Sequence, residues 1–273
     1  MRLSRPVTLS LRGVALAYLV LLLLLPVGVI FAKTFAHGFG TAWGWITTPA
    51  AISALWLSVL IAAIAVPLNT IFGVGSALVL VRSRARGRAI LDALIDLPFI
   101  VSPVVVGLAL VLVYGQGGWF GSWFLHQGIR IIYAPAGMVI ATVFVSLPFV
   151  VREVAPVLLE VGTEQEQAAA TLGANRWQTF WRITLPSIRW GVAYGVVLTT
   201  ARALGEIGAV AVVSSNVAGS TLTLPLLVQQ RMTTSFGSQA ITSSYAAATE
   251  LAVMSLLVLL AMTVIAPRRG DSR

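Results

Sequence analysis

Long apolar runs alternate along this chain with short polar stretches crowded with arginine, and that alternation predicts six membrane-crossing helices. The runs cover approximately 14–32, 54–80, 98–114, 136–152, 190–213 and 246–266. A helix needs about 20 predominantly apolar residues to cross a hydrocarbon core roughly 30 Å thick. The first run holds five consecutive leucines, Leu21 to Leu25, behind Arg2, Arg5 and Arg12. That layout is shared with secretory leaders, but the stretch is long and no small-x-small cleavage site closes it, so a retained first helix is expected. Pro26, Pro67, Pro103 and Pro148 fall in or near the runs. Membrane helices tolerate proline where neighbours re-satisfy the freed backbone groups.

The basic residues predict the orientation. Arg2, Arg5 and Arg12 precede the first run, and Arg82, Arg84, Arg86 and Arg88 separate the second from the third. Arg152, Arg176, Arg182 and Arg189 separate the fourth from the fifth, and Arg268, Arg269 and Arg273 follow the last. The opposite side holds Lys33, Arg130 and Arg231, so the count is fourteen against three. Basic loops face the cytoplasm, which places both termini there in a multi-pass protein of the cytoplasmic membrane. Trp43, Trp45, Trp119 and Trp123 fall in the outer loops, at headgroup level. The expected layout is a cytoplasmic tail over 1–13, a first span over 14–32, a core over 54–266 that includes the loop 153–189, and a tail over 267–273.

Composition removes several alternatives. Charged residues make up 10% and hydrophobic ones 58%, whereas a soluble domain carries about 25% charge to solvate its surface. A net charge of +9 would suit nucleic acid, but the arginines flank apolar runs, where anionic lipid is their partner. No cysteine is present and the two histidines, His37 and His126, lie far apart in polar loops. Disulfides, thiolate metal sites and cysteine nucleophiles are excluded, and no His/Asp/Glu constellation suggests an enzyme or a metal centre.

The loop between the fourth and fifth runs is the most informative segment. Thr163 reads as an N-cap, with Glu164 and Glu166 near the positive end of a short helix. Gln167, Ala168, Ala169 and Ala170 favour helix with little bulk, and Gly173 suits a C-cap with positive φ. Ala174 to Trp181 predicts a second helix with aromatic side chains toward the membrane, and Pro186 a break before the fifth span. The residues alone leave two readings: a small-residue face for docking another protein, or an amphipathic connector on the inner leaflet.

Ionisable residues inside spans are costly and face bundle interiors. Arg202 and Glu206, spaced i, i+4, are expected on one face of the fifth helix, either lining or gating a translocation path or fastening that helix to its neighbours. Ser214, Ser215 and Asn216 follow near the outer side, as neutral groups able to line an anion route. Asp92 and Asp96 are expected to pair with the adjacent arginine run. Glu250 is expected to be solvated at the outer start of the last helix.

The cytoplasmic loop resembles the EAA loop of ABC-transporter permeases. Ala168, Ala169, Gly173 and the distal Ile183-Thr184-Leu185-Pro186 match the motif. The family's leading glutamate is Gln167 here, with Glu166 one position earlier, which removes a charge and keeps the glycine turn and the I-x-L-P spacing. Tyr114-Gly115, Gly118 to Gly121, Pro148 to Glu153, and Arg202 through Val210 to Leu226 resemble the sulfate/thiosulfate permeases of the CysW type. The Arg-Ala-Leu-Gly-Glu run also resembles molybdate permeases. The resemblance implies an all-α, six-helix type I importer permease of the MetI-like fold that translocates an oxyanion, sulfate and thiosulfate before molybdate or tungstate. It implies that Glu164, Glu166, Gln167, Ala168, Ala169, Leu172 and Gly173 couple to separate ABC ATPase subunits that hold ATP-Mg. The further partners implied are a second permease of the CysT/CysU type and an extracytoplasmic sulfate-binding protein. No Gly-Lys-Ser/Thr phosphate loop occurs, and the only lysine is Lys33. No inverted repeat of the kind secondary transporters carry is evident.

Overall fold

The computed structural model describes residues 5–83, 86–234 and 238–265, all of them helix or connecting loop. Arg2, Arg84, Arg268, Arg269 and Arg273, and with them the tail 267–273, lie outside the described residues. The chain begins with α1 (Arg5–Leu19), a π-helical turn (Val20–Leu24) and α2 (Leu25–Phe35), followed by the short α3 (Phe39–Ile46). Next come α4 (Pro49–Arg82), α5 (Arg88–Ile100), α6 (Pro103–Tyr114), α7 (Gly121–His126) and α8 (Pro135–Val161). Then follow α9 (Glu164–Thr171), α10 (Arg176–Thr179), a second π turn (Phe180–Thr184), α11 (Leu185–Leu204), α12 (Gly208–Val213), α13 (Leu224–Thr234) and α14 (Ser238–Ile265). Prolines sit in the first turn of α4, α6, α8 and α11, where the missing N–H has no helical partner to lose.

Among the described residues, four helices are long and apolar enough to cross a membrane: Leu11–Phe35, Pro49–Arg82, Pro135–Val161 and Ile241–Ala261. The pair α5 and α6 is long and apolar enough only when taken together, and it is bent by 110°, the geometry of a broken span or a re-entrant loop. The third and fifth predicted runs are therefore not continuous helices. The third breaks because Ser102 is extended before Pro103 (ψ 135°), as the proline ring demands of its predecessor. The fifth stops at Leu204 and resumes at Gly208.

The centre of the bundle is α4, α8 and α11. Val150 on α8 is clasped between Gly73 of α4 and Gly195 of α11. A Cβ on Gly73 would fall 2.6 Å from the Val150 Cβ, and one on Gly195 would fall 2.9 Å from its Cα. Small residues let backbones approach where lipid offers no hydrophobic drive for association. Asn69, fully buried, adds a polar tie: its Nδ2 donates to Val143 O at 3.1 Å and Ser146 Oγ at 2.8 Å. By contrast, none of the most apolar window of Leu11–Phe35 is buried. This helix touches the bundle at its end, where Thr34 Oγ1 and Thr249 Oγ1 lie 2.8 Å apart.

Candidate functional site

The loop after α8 folds into the helix, glycine turn and helix that its sequence predicts. Glu164 and Glu166 occupy the first turn of α9. Thr163 precedes it without accepting a backbone N–H; its Oγ1 instead accepts from Gln167 Nε2 at 3.0 Å. Gly173, at φ +84°, ends the helix. Its N–H donates to Ala170 O at 3.1 Å and the Ala174 N–H to Ala169 O at 3.0 Å, the paired bonds of a Schellman turn. The small residues do not form one outward face, however. Ala169 is buried against the chain's own loop, while Glu164, Gln167, Ala168 and Thr171 are exposed. Leu172 is 88% exposed, an apolar side chain presented at the tip of the turn.

The second helix is shorter than predicted. Asn175 and Gln178 form a reciprocal capping box around α10, and the π turn then runs directly into α11. Pro186 falls in the first turn of α11, so it starts that helix rather than breaking the path. Trp177 and Trp181 are exposed and in edge contact, with ring centroids 5.5 Å apart.

Glu166 has partners that its sequence position does not announce. Its carboxylate lies 3.2 Å from Nε of Arg82, the last residue of α4, and accepts from Thr184 Oγ1 at 3.0 Å. Arg82 also donates to the carbonyl of Gly162 at the end of α8. Asp92 and Asp96 are likewise re-partnered. Instead of the neighbouring arginine run they hold Arg152 of α8, which lies 2.9 Å from Asp92 Oδ1 and donates from Nε to Asp96 Oδ1 at 2.9 Å. One turn of α5 separates the two carboxylates, which sets both against the same guanidinium.

Arg202 and Glu206 do pair, at 2.6 Å between NH1 and Oε2. They do not share a helix face, because α11 ends between them. The Glu206 side chain is 1% exposed and that of Arg202 31%. Glu206 Oε1 also accepts the Ala209 N–H at 2.8 Å, so this carboxylate satisfies a free donor at the start of α12 while neutralising a cation. Ser214, Ser215 and Asn216 lie past the other end of α12, six residues and about 9 Å along its axis. Ser214 is buried and donates to Thr221 O, while Ser215 Oγ lies 2.7 Å from Thr221 Oγ1. Asn216, at φ +55°, donates its N–H to Ser214 Oγ at 2.9 Å. The two predicted groups are thus separate clusters, and the hydroxyls close a turn. Glu250 also departs from its expected place: it is buried within α14 rather than solvated at its start. Arg231 on α13 sits nearby, donating to Ser243 O at 2.9 Å and Thr48 Oγ1 at 3.0 Å, 5.9 Å from the Trp45 ring.

Comparison with known proteins places these features in a family. The chain is 49% identical over 261 residues to the sulfate transport system permease protein CysW of Synechocystis sp., covering 96% of this chain and 93% of the relative. The corresponding protein of Escherichia coli is 43% identical over 250 residues, covering 90% and 84%. The CysT permease of Synechocystis sp. is 40% identical over 219 residues, covering 80% and 77%. Among solved structures, a bacterial alginate ABC transporter in complex with its alginate-bound periplasmic protein superposes with TM-score 0.78 at 16% identity, over 97% of this chain and 96% of that one. The MetNI methionine ABC transporter gives 0.61 at 16% identity, over 81% and 96%. Residues 69–271 match the binding-protein-dependent transport system inner membrane component, and the chain belongs to that family of membrane-spanning ABC permeases.

Proposed function

We propose that this chain is the permease subunit of an ATP-driven importer that carries sulfate, and thiosulfate, across the cytoplasmic membrane. The observation that carries the reading is the exposed α9 turn: a short helix closed by Gly173, with Leu172 bare at its tip, on the arginine-rich end of the bundle. Ala168, Ala170 and Leu172 are exposed together on this short turn, and such a group of small and apolar side chains offers a patch on which a partner can seat. The partner of this reading is a separate ABC ATPase, which holds ATP-Mg and supplies the hydrolysis; this chain contributes no catalytic residue. The arginine asymmetry supports a cytoplasmic position for α9 and for both termini. The names of the CysW relatives support sulfate as substrate, and the similarity to CysT fits a second, related permease beside this one. A sulfate-binding protein delivers the anion at the opposite face.

Two packings of the helices exchange access to the anion, and nucleotide acts by favouring one of them through its grip on α9. Within the bundle the path bends at 101–102, and the helix is interrupted at 205–207. Arg202, partly exposed beside the second break, is the cation offered to a passing oxyanion, with Glu206 as its counter-charge. Ser214, Ser215 and Asn216 shape the neighbouring turn. Uptake of labelled sulfate by the reconstituted importer, competed by unlabelled sulfate, thiosulfate and molybdate, tests the reading. ATP-dependent uptake with the first two competing supports it. Competition by molybdate alone transfers the assignment to the molybdate permeases, and uptake without ATP removes it.

A further inference from the structure

The covalent links on either side of α9 are both made of glycine in the left-handed region. Gly162, at φ +69°, joins it to α8, and Gly173, at φ +84°, joins it to the path toward α11. A residue without Cβ takes such a conformation without strain, so the chain can turn sharply at both ends of α9. On the side facing α4 the packing is open. There α4 and the loop stand apart around a cavity of about 600 Å³, lined by Val79, Ser83, Ala170, Ala174 and Thr179 among others.

Across one rim of that cavity runs a single polar junction. Arg82 ends α4, Gly162 ends α8, Glu166 belongs to α9, and Thr184 stands immediately before α11. One guanidinium and one carboxylate bind all four: Arg82 to Gly162 O, Arg82 to Glu166, and Thr184 to Glu166. Their side chains are only 19% and 24% exposed, so water competes for the pair far less than at an open surface, where such pairs contribute little.

We propose that Arg82 and Glu166 form the strut that passes movement of α9 to α4 and α11, as positioning residues for coupling rather than contacts for the ATPase or the anion. The strut rests on the reading of α9 as the docked helix. It also gives the charge at position 166, one residue ahead of the motif's usual place, a task inside the chain. Gln167, at the motif position itself, is exposed and donates to Thr163 Oγ1.

The test is a charge swap in the assembled importer, read as labelled sulfate moved per ATP hydrolysed. Arg82→Glu and Glu166→Arg alone should each lower that ratio about tenfold with the ATPase still bound, and the double swap should recover severalfold over either. Glu166→Gln, which keeps the Thr184 bond and removes the charge, should fall between. Because the chain lacks cysteine, Gln165→Cys and Val79→Cys can carry spin labels in otherwise unaltered protein. The distance distribution between them should be narrow in the parent and broad in Glu166→Gln, with or without sulfate. An unchanged ratio and distribution in the single variants, or a swap no better than the singles in complexes that still assemble, would overturn the strut. Failure of the unsubstituted importer to move sulfate with ATP strikes the functional reading instead, and the spin-label distances then still decide whether this pair holds α9 to α4.

Discussion

Glu206 is a buried charge at the break between α11 and α12. Its two oxygens are divided between a guanidinium and a backbone donor. Glu206→Gln keeps an acceptor for the Ala209 N–H but leaves Arg202 without its counter-charge. Because Arg202 is partly exposed, the loss is expected at about 1–3 kcal/mol, readable as a lower unfolding temperature in detergent, with transport falling further than stability. Leu172 is the opposite case. With 88% of it exposed, Leu172→Ala should leave unfolding within about 0.5 kcal/mol of the parent, while co-purification of the ATPase drops sharply. A stability loss as large as that of a core residue would show that Leu172 is packed within its own chain.

At the scale of elements, α9 owes its closing turn to Gly173, and Ala169 is the side chain it buries. Gly173→Ala forces a side chain into left-handed backbone, at a cost of about 1–2 kcal/mol. Ala169→Leu over-fills a buried position, costing about 1–3 kcal/mol and tilting the helix. Both variants should insert into membranes normally and hydrolyse ATP with less transport, checked by ATPase and uptake assays on one preparation. How far such elements were legible follows from what encodes them. The spans showed in the sequence because apolar runs are long and contiguous, and the α9 turn because alanine, glycine and acidic residues have local preferences. The break at 101–102 lay inside an apolar run and gave no hydropathy signal, although Ser102-Pro103 held a stereochemical one; the break at 205–207 was marked by Glu206, whose charge reads equally well as a paired group within an unbroken helix. Arg152 with Asp92 and Asp96, and Arg82 with Glu166, were invisible for another reason. Their partners are set by which helices pack, not by distance along the chain. Pro186 misled because proline starts a helix as readily as it stops one.

For the whole molecule, the arrangement separates a closely packed centre from sparsely packed ends. The clasp of Val150 between Gly73 and Gly195 and the buried Asn69 bind α4, α8 and α11 together. Around them stand a first helix with little of its length against the bundle, two interrupted apolar runs and a loop that turns sharply at glycines. Such a body can rock as units while its centre stays packed, as alternating access requires. The account depends on α9 being held by a nucleotide-hydrolysing subunit on the cytoplasmic side, and the lack of cysteine makes that directly measurable. Ala168→Cys, at an exposed position of α9, is to be cross-linked in native membranes with a short bifunctional maleimide, in parallel with labelling of intact cells by an impermeant one. The account predicts an adduct that contains an ABC ATPase, with a yield that changes with ATP, and no labelling from outside. Capture of no nucleotide-hydrolysing protein, or ready labelling of position 168 from outside the cell, would contradict it.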